Sequence, residues 1–99
     1  MAHNIQKNEQ NLDGKVLYIS QPQMKTEKLT LRILVLQAFE NDWPKPVPFV
    51  FKNARMDDLK DIKEGDWVNV QYQSLGYKGK SEGEPKYYAE NVGVNCIKG

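Results

Sequence analysis

Residues 76–88, GYKGKSEGEPKYY, place three lysines, three glycines and three tyrosines within thirteen positions. Lysine supplies mobile positive charge, tyrosine a flat face for stacking, and glycine a backbone free to fold over a ligand. A ligand that answers to all three carries repeated negative charge and exposed planar rings, as unpaired nucleotides do. On that chemistry Lys78, Lys80 and Lys86 would meet phosphates, and Tyr77 and Tyr87 would stack on bases. The residues alone read equally well as a soluble hairpin whose lysines are offset by Glu82 and Glu84, since charge runs are usually solvated. The stretch is nonetheless longer than the two to five residues, roughly, in which most hairpins close.

Other chemistry is poorly supplied. The one histidine, His3, and the one cysteine, Cys96, stand far apart, so no nucleophile and base pair has local support. The chain has no glycine-rich phosphate loop and no metal-ligand motif, and no cofactor is expected. The carboxylates at 57, 58, 61, 64 and 66 read as a solvated helix face with pairing such as Asp57 to Lys60 rather than as a cation site. Cys96 falls on the apolar parity of its segment and reads as a small buried hydrophobe. An enzyme is not expected.

Ninety-nine residues, 39% of them hydrophobic, suit one domain with one small core. The apolar runs are too short to span a bilayer, the N-terminal residues have no signal-peptide character, and a lone cysteine suits a reducing compartment. The expectation is a cytoplasmic protein without membrane contact. Net charge is +1, but residues 57–66, DDLKDIKEGD, hold five acids and two lysines. The remainder is therefore mildly basic and the molecule bipolar.

The elements that must position these groups are short strands. Residues 1–11 are polar and aperiodic and read as a flexible arm, leaving 12–99 as the folded domain. Strands are predicted over 12–20, 28–37, 47–52, 66–74 and 87–98, from β-branched and aromatic content and alternation. Residues 21–28 read as a polar connection, and FENDWPKP, 39–46, as a break carrying two prolines. Asn53 is placed to cap a helix over 54–62 with Met56, Leu59 and Ile62 in one apolar stripe. Parity puts Phe49, Phe51, Tyr72 and Tyr88 inside and leaves Leu34, Leu36, Val50 and Trp67 on outward positions, where they would serve self-association.

Five strands with one helix between the third and fourth is the order of a five-stranded Greek-key barrel, an all-β fold with one short helix. A partly open SH3-like barrel is the alternative. The phrases LDGKVLYIS, DWPKPVPFVF, IKEGDWVNVQY and GYKGK followed by KYYAENVGV resemble, in order and spacing, the small OB-fold proteins related to single-stranded DNA-binding proteins of bacteria and their phages. The likeness covers about residues 12–97. The sequence departs from the bacterial proteins in ending at Ile97-Lys98-Gly99 without an acidic, glycine-rich tail.

The resemblance implies that the outer faces of the second and third strands form a binding surface. Arg32 and Lys52, on the polar parity of those strands, then become phosphate contacts, with Lys45 beside them. Trp43 in NDWPKP reads equally as a lid over the barrel mouth or as a stacking platform, and Tyr18 equally as a core residue or a stacking one. The implied function is binding of single-stranded DNA, with weak sequence preference, in replication or recombination, by a homodimer or a cooperative array. The competing expectations are a protein-interaction module of a replication complex and a single-stranded RNA binder. No small-molecule substrate is expected.

Overall fold

The computed structural model describes residues 9–40, 43–79, 83 and 86–99, without the side chains of Phe39, Glu40, Tyr77 and Lys78. It contains strands β1 (Glu9–Ile19), β2 (Gln23–Thr26), β3 (Leu29–Glu40), β4 (Trp43–Lys52), β5 (Trp67–Lys78) and β6 (Tyr87–Lys98), with a single 3-10 helix, Asn53–Leu59, between β4 and β5. All six strands form one sheet in the order β1-β5-β6-β4-β3-β2, and an added β1–β3 pairing closes five of them into a ring. Every ring contact is antiparallel except β4 with β6, which is parallel and rests on the single pair Val50 and Val92.

β1 closes the ring because it serves two neighbours in succession. Glu9 to Lys15 pair with β5, and Lys15 to Ile19 pair with β3. At the crossing a Cβ on Gly14 would lie 2.8 Å from the Gln37 carbonyl oxygen, so only glycine lets the two backbones approach this closely. A bulge between Val16 and Tyr18 then turns the strand. Beyond it, Ser20 is buried and ties the end of β1 to β3 through two contacts, its N–H donating to the Ile33 carbonyl (2.8 Å) and its hydroxyl oxygen accepting the Ile33 N–H (2.8 Å), while its hydroxyl donates to the carbonyl of the adjacent Gln21 (3.0 Å).

The ring's interior is filled by Val16, Leu34, Leu36, Phe49, Phe51, Val68, Val70 and Cys96, with Leu59 and Ile62 closing one end. Leu59 is fully buried, and Met56 packs half-buried against the same cluster. Leu34 and Leu36 are also fully buried, which corrects their assignment to an outward face. They stand opposite Phe49 and Val47, so the inward parity of β3 is the even one at that point. The Phe49 and Tyr72 rings meet edge to face at 4.9 Å, and the Tyr72 hydroxyl donates to Gln10 Oε1 at the rim.

Several boundaries differ from those read in the sequence. β1 begins at Glu9, inside the segment assigned to the arm, and β2 occupies part of the supposed polar connection. The β3–β4 ladder runs unbroken from Leu31 and Lys52 to Glu40 and Trp43 despite Pro44, Pro46 and Pro48. Prolines two residues apart turn their nitrogens to one edge, and here that edge faces away from β3, so no ladder hydrogen bond is lost. The helix is shorter than expected and of 3-10 type, and Asn53 does not cap it. Asn53 has φ 51° and its Oδ1 accepts the Thr30 N–H at 3.0 Å, joining the helix start to β3.

Candidate nucleic-acid interface

The parallel β4–β6 contact decides where the candidate residues lie. Both strands run the same way from the Val50 and Val92 bridge, so both of their starts lie at the same end of the ring. At about 3.3 Å per residue, Trp43 stands roughly 23 Å and Tyr87 roughly 17 Å along its strand from that bridge. The two long hairpins, β3–β4 and β5–β6, thus project together. The helix and its acidic segment follow the far end of β4, at the opposite side of the ring.

Trp43 and Tyr87 are each 71% exposed, the largest exposure of any described aromatic residue. An aromatic ring left this open gains little from packing, so packing does not account for it. Lys45 is exposed two residues after Trp43, and Lys86 is exposed just before Tyr87, where its carbonyl accepts the Gly79 N–H at 2.8 Å. Tyr77 and Lys78 lie in β5 opposite Tyr88 and Tyr87 by register, although their side chains are outside the description. Lys80 lies outside the described residues altogether. Within the stretch from 76 to 88 the β5–β6 ladder takes in Gly76 to Lys78 and Tyr87 with Tyr88, and residues 80–82, 84 and 85 lie outside the described residues.

Arg32 and Lys52 are not part of this end. Arg32 stands opposite the core residue Phe51, on the inward parity, and its Nε donates to the Ser20 carbonyl at 2.8 Å. The guanidinium so placed helps fix the β1–β3 junction. Lys52 forms a 3.1 Å ion pair with Glu90, which bridges β4 and β6 and leaves its charge compensated. Asn91 Nδ2 donates to the Pro48 carbonyl (3.1 Å) and Arg55 Nη1 to the Val94 carbonyl (3.0 Å), so polar side chains tie β6 to β4 and to the helix beyond the single β4–β6 backbone bridge.

Two aromatic residues sit elsewhere than their parity suggested. Tyr88 is 47% exposed rather than in the core, and its ring lies over the Gly79 backbone, where a Cβ would collide with it. The cause is a bulge at Val94: Gln71 pairs with Asn95 and Tyr72 with Gly93, so β6 changes its inward parity there. Gly93 then takes the core position, with the Phe51 ring filling the space a side chain would need. Tyr18, half exposed, faces outward opposite Val35, because the β1 bulge removes it from the parity of Val16. Val35 in turn stands opposite Pro48, so Tyr18, Val35 and Pro48 form a row across the outer face of three strands. Two consecutive large residues, Leu17 and Tyr18, are the only sequence sign of this row.

Electrostatics at the far end is structural. The Asp66 carboxylate accepts the Lys63 N–H (2.9 Å) and pairs with Lys98 (3.4 Å), and these hold its pKa below the usual carboxylate value. Asp58 Oδ2 accepts the Cys96 N–H at 3.1 Å, so this carboxylate joins the helix to β6 instead of facing solvent alone. Burial, and secondarily the Asp58 charge, push the Cys96 thiol up to about 11. Such a thiol is unreactive at neutral pH. Among the described residues, no three His, Cys, Asp or Glu side chains cluster as metal ligands, and no helix is long and apolar enough to cross a membrane.

These features define a small β protein with paired aromatic hairpins at one end. Residues 11–94 match the model of a domain of unknown function, DUF3127, and the chain belongs to that family. No curated protein matches the chain.

Proposed function

We propose that the chain is a non-enzymatic OB-fold protein that binds single-stranded DNA through the projecting β3–β4 and β5–β6 hairpins. The ring order, the parallel β4–β6 contact and the helix between β4 and β5 support the OB-fold assignment, in which β3 and β4 supply the binding face. The observation that carries the functional reading is the pair of exposed aromatic residues, Trp43 and Tyr87, on hairpins that project from the same end. Unpaired bases stack on Trp43, Tyr87 and Tyr18 while Lys45, Lys86 and the lysines at 78 and 80 meet phosphates. Duplex is discriminated against because paired bases offer no free faces.

So few cations give modest affinity per domain, and cooperative arrays along one strand raise it. With Leu34 and Leu36 in the core, the surface for such contacts is Trp67 with Ile97, both more than half exposed and, by the Asn69 and Ile97 register, on one face.

Fluorescence anisotropy with labelled oligo-dT, oligo-U and duplex of equal length tests the reading. Oligo-dT should bind more tightly than duplex, and with about three or four phosphate contacts the log-log salt slope should be near −2 to −3. A slope near zero favours a protein-interaction module, and tighter binding of oligo-U favours RNA.

A further inference from the structure

Proline sets where β4 and β6 stop sharing backbone. Pro44, Pro46 and Pro48 occupy alternate positions before Val50, so they present the same edge of β4 as Val50, which bridges to Val92 on β6. None of them has an N–H to give, and backbone pairing of the two strands is confined to Val50 and Val92. The Pro48 carbonyl is left facing β6, and the Asn91 side chain takes it up, with Nδ2 donating to it at 3.1 Å. The other half of the amide is also engaged, since Oδ1 accepts the Ser74 hydroxyl at 3.0 Å. Ser74 stands directly opposite Asn91 in the β5–β6 ladder. A carbonyl only accepts, so one orientation of the amide satisfies both neighbours. A single side chain thereby joins three strands on the hairpin side of the Val50 and Val92 bridge.

We infer that Asn91 is a positioning residue that holds the β3–β4 hairpin at a fixed angle to the β5–β6 hairpin, so that both meet one strand of DNA together. The inference takes its geometry from these hydrogen bonds and rests, for its purpose, on the proposed binding of single-stranded DNA. On its other side the β3–β4 hairpin is paired with β1 only as far as Gln37. Trp43 stands five residues beyond Pro48, roughly 17 Å along β4. A swing of about 10° at Pro48 therefore moves the tip by roughly 3 Å, close to the separation of stacked bases. A joint at Asn91 thus decides whether the rings of the two hairpins stay in register with one ligand.

Two measurements test it. Nitroxide labels on Lys45→Cys and Lys86→Cys, both exposed positions toward the hairpin tips, report the distance between the hairpins by double electron–electron resonance without DNA. Cys96 is buried and does not compete for label. Asn91→Ala should broaden the distance distribution by about 3 Å or more. Ser74→Ala, which frees the amide to turn, should broaden it less. Anisotropy of labelled oligo-dT with unlabelled protein is the second measurement. Asn91→Ala should weaken binding about tenfold, the loss expected when two linked contacts begin to act separately. In a Trp43→Ala background the same substitution should change affinity by less than about twofold, since one ring has no partner to be aligned with. Thermal unfolding shows that each variant remains folded. A distance distribution unchanged in both variants overturns the inference and leaves the proposed function standing. An equal loss of affinity with and without Trp43 also overturns it, because Asn91 then acts otherwise than by alignment. Failure of the unmodified protein to bind oligo-dT overturns the proposed function, and the inference with it, whatever the distances show.

Discussion

The two ends of the ring use apolar residues in opposite ways. At the helix end, Leu59 and Ile62 are buried against the interior of the ring, and Asp58 and Asp66 are tied to β6 and to the turn before β5. At the hairpin end, Trp43 and Tyr87 lie open, and lysines stand beside them. A chain of this size has little apolar surface to leave unburied if stability alone decides its sequence. The contrast teaches that the helix end maintains the fold and that the hairpin end has aromatic rings available for a partner.

Substitutions at the two ends should therefore separate stability from binding. The largest effect is expected for Leu59→Ala, which removes a fully buried side chain and should cost about 2–5 kcal/mol in denaturant unfolding. A loss below about half a kcal/mol would mean that the helix does not close the core. Gly93→Ala should come next, at about 1–3 kcal/mol, because the new methyl group must displace the Phe51 ring. Neither variant touches the hairpin end, so oligo-dT affinity should persist wherever the protein remains folded.

At the hairpin end the effects should reverse. Trp43→Ala and Tyr87→Ala should each weaken oligo-dT binding by roughly 1–3 kcal/mol while leaving the unfolding midpoint unchanged, and phenylalanine at either position should restore much of the loss. Lys45→Ala and Lys86→Ala should each lower the magnitude of the salt slope by about 0.7, whatever the base composition. Lys52→Ala should leave the slope alone, since its charge is already paired with Glu90.

The smallest effects are those of pH, and they belong to the helix end. Asp66 has a folded pKa below its unfolded value, so its contribution is present above the unfolded value and disappears as pH falls through the folded one. Cys96 shifts the other way: its thiol ionises near 9.0 when unfolded and near 11 when folded, so stability should decline as pH rises between those values. Iodoacetamide at pH 8 should label Cys96 far more slowly in the native protein than in denaturant. Equal rates would show that the β6 end is open.

Strand periodicity made most of the fold legible, and bulges hid much of the candidate site. Val68, Val70 and Tyr72 alternate in sequence and face the interior in the structure, because β5 has no bulge within those residues on its own strand. Tyr88 and Tyr18 break the same rule, since a single extra residue on β6 or β1 inverts every position beyond it and leaves no mark in composition. Leu34 and Leu36 looked outward because an apolar residue at every position of 33–36 gives parity nothing to choose between; the partner strand, through Phe49 and Val47, makes the choice. Arg32 and Lys52 looked available because ion pairs and hydrogen bonds to distant segments, Glu90 and Ser20, are invisible in a local pattern. Trp43 and Tyr87 were legible for the opposite reason. Turn-forming neighbours and lysines mark them as exposed, and both are among the most exposed large residues in the structure.

The central claim, that the two hairpin tips bind unpaired bases, is tested most directly by one anisotropy titration of a labelled oligo-dT and its duplex against the unmodified protein and Trp43→Ala/Tyr87→Ala. The account predicts tighter binding of the single strand by the unmodified protein and loss of at least about tenfold in affinity in the double variant, from two stacking contacts, with the unfolding midpoint unchanged. Equal affinity of the folded double variant and the unmodified protein for oligo-dT would contradict it.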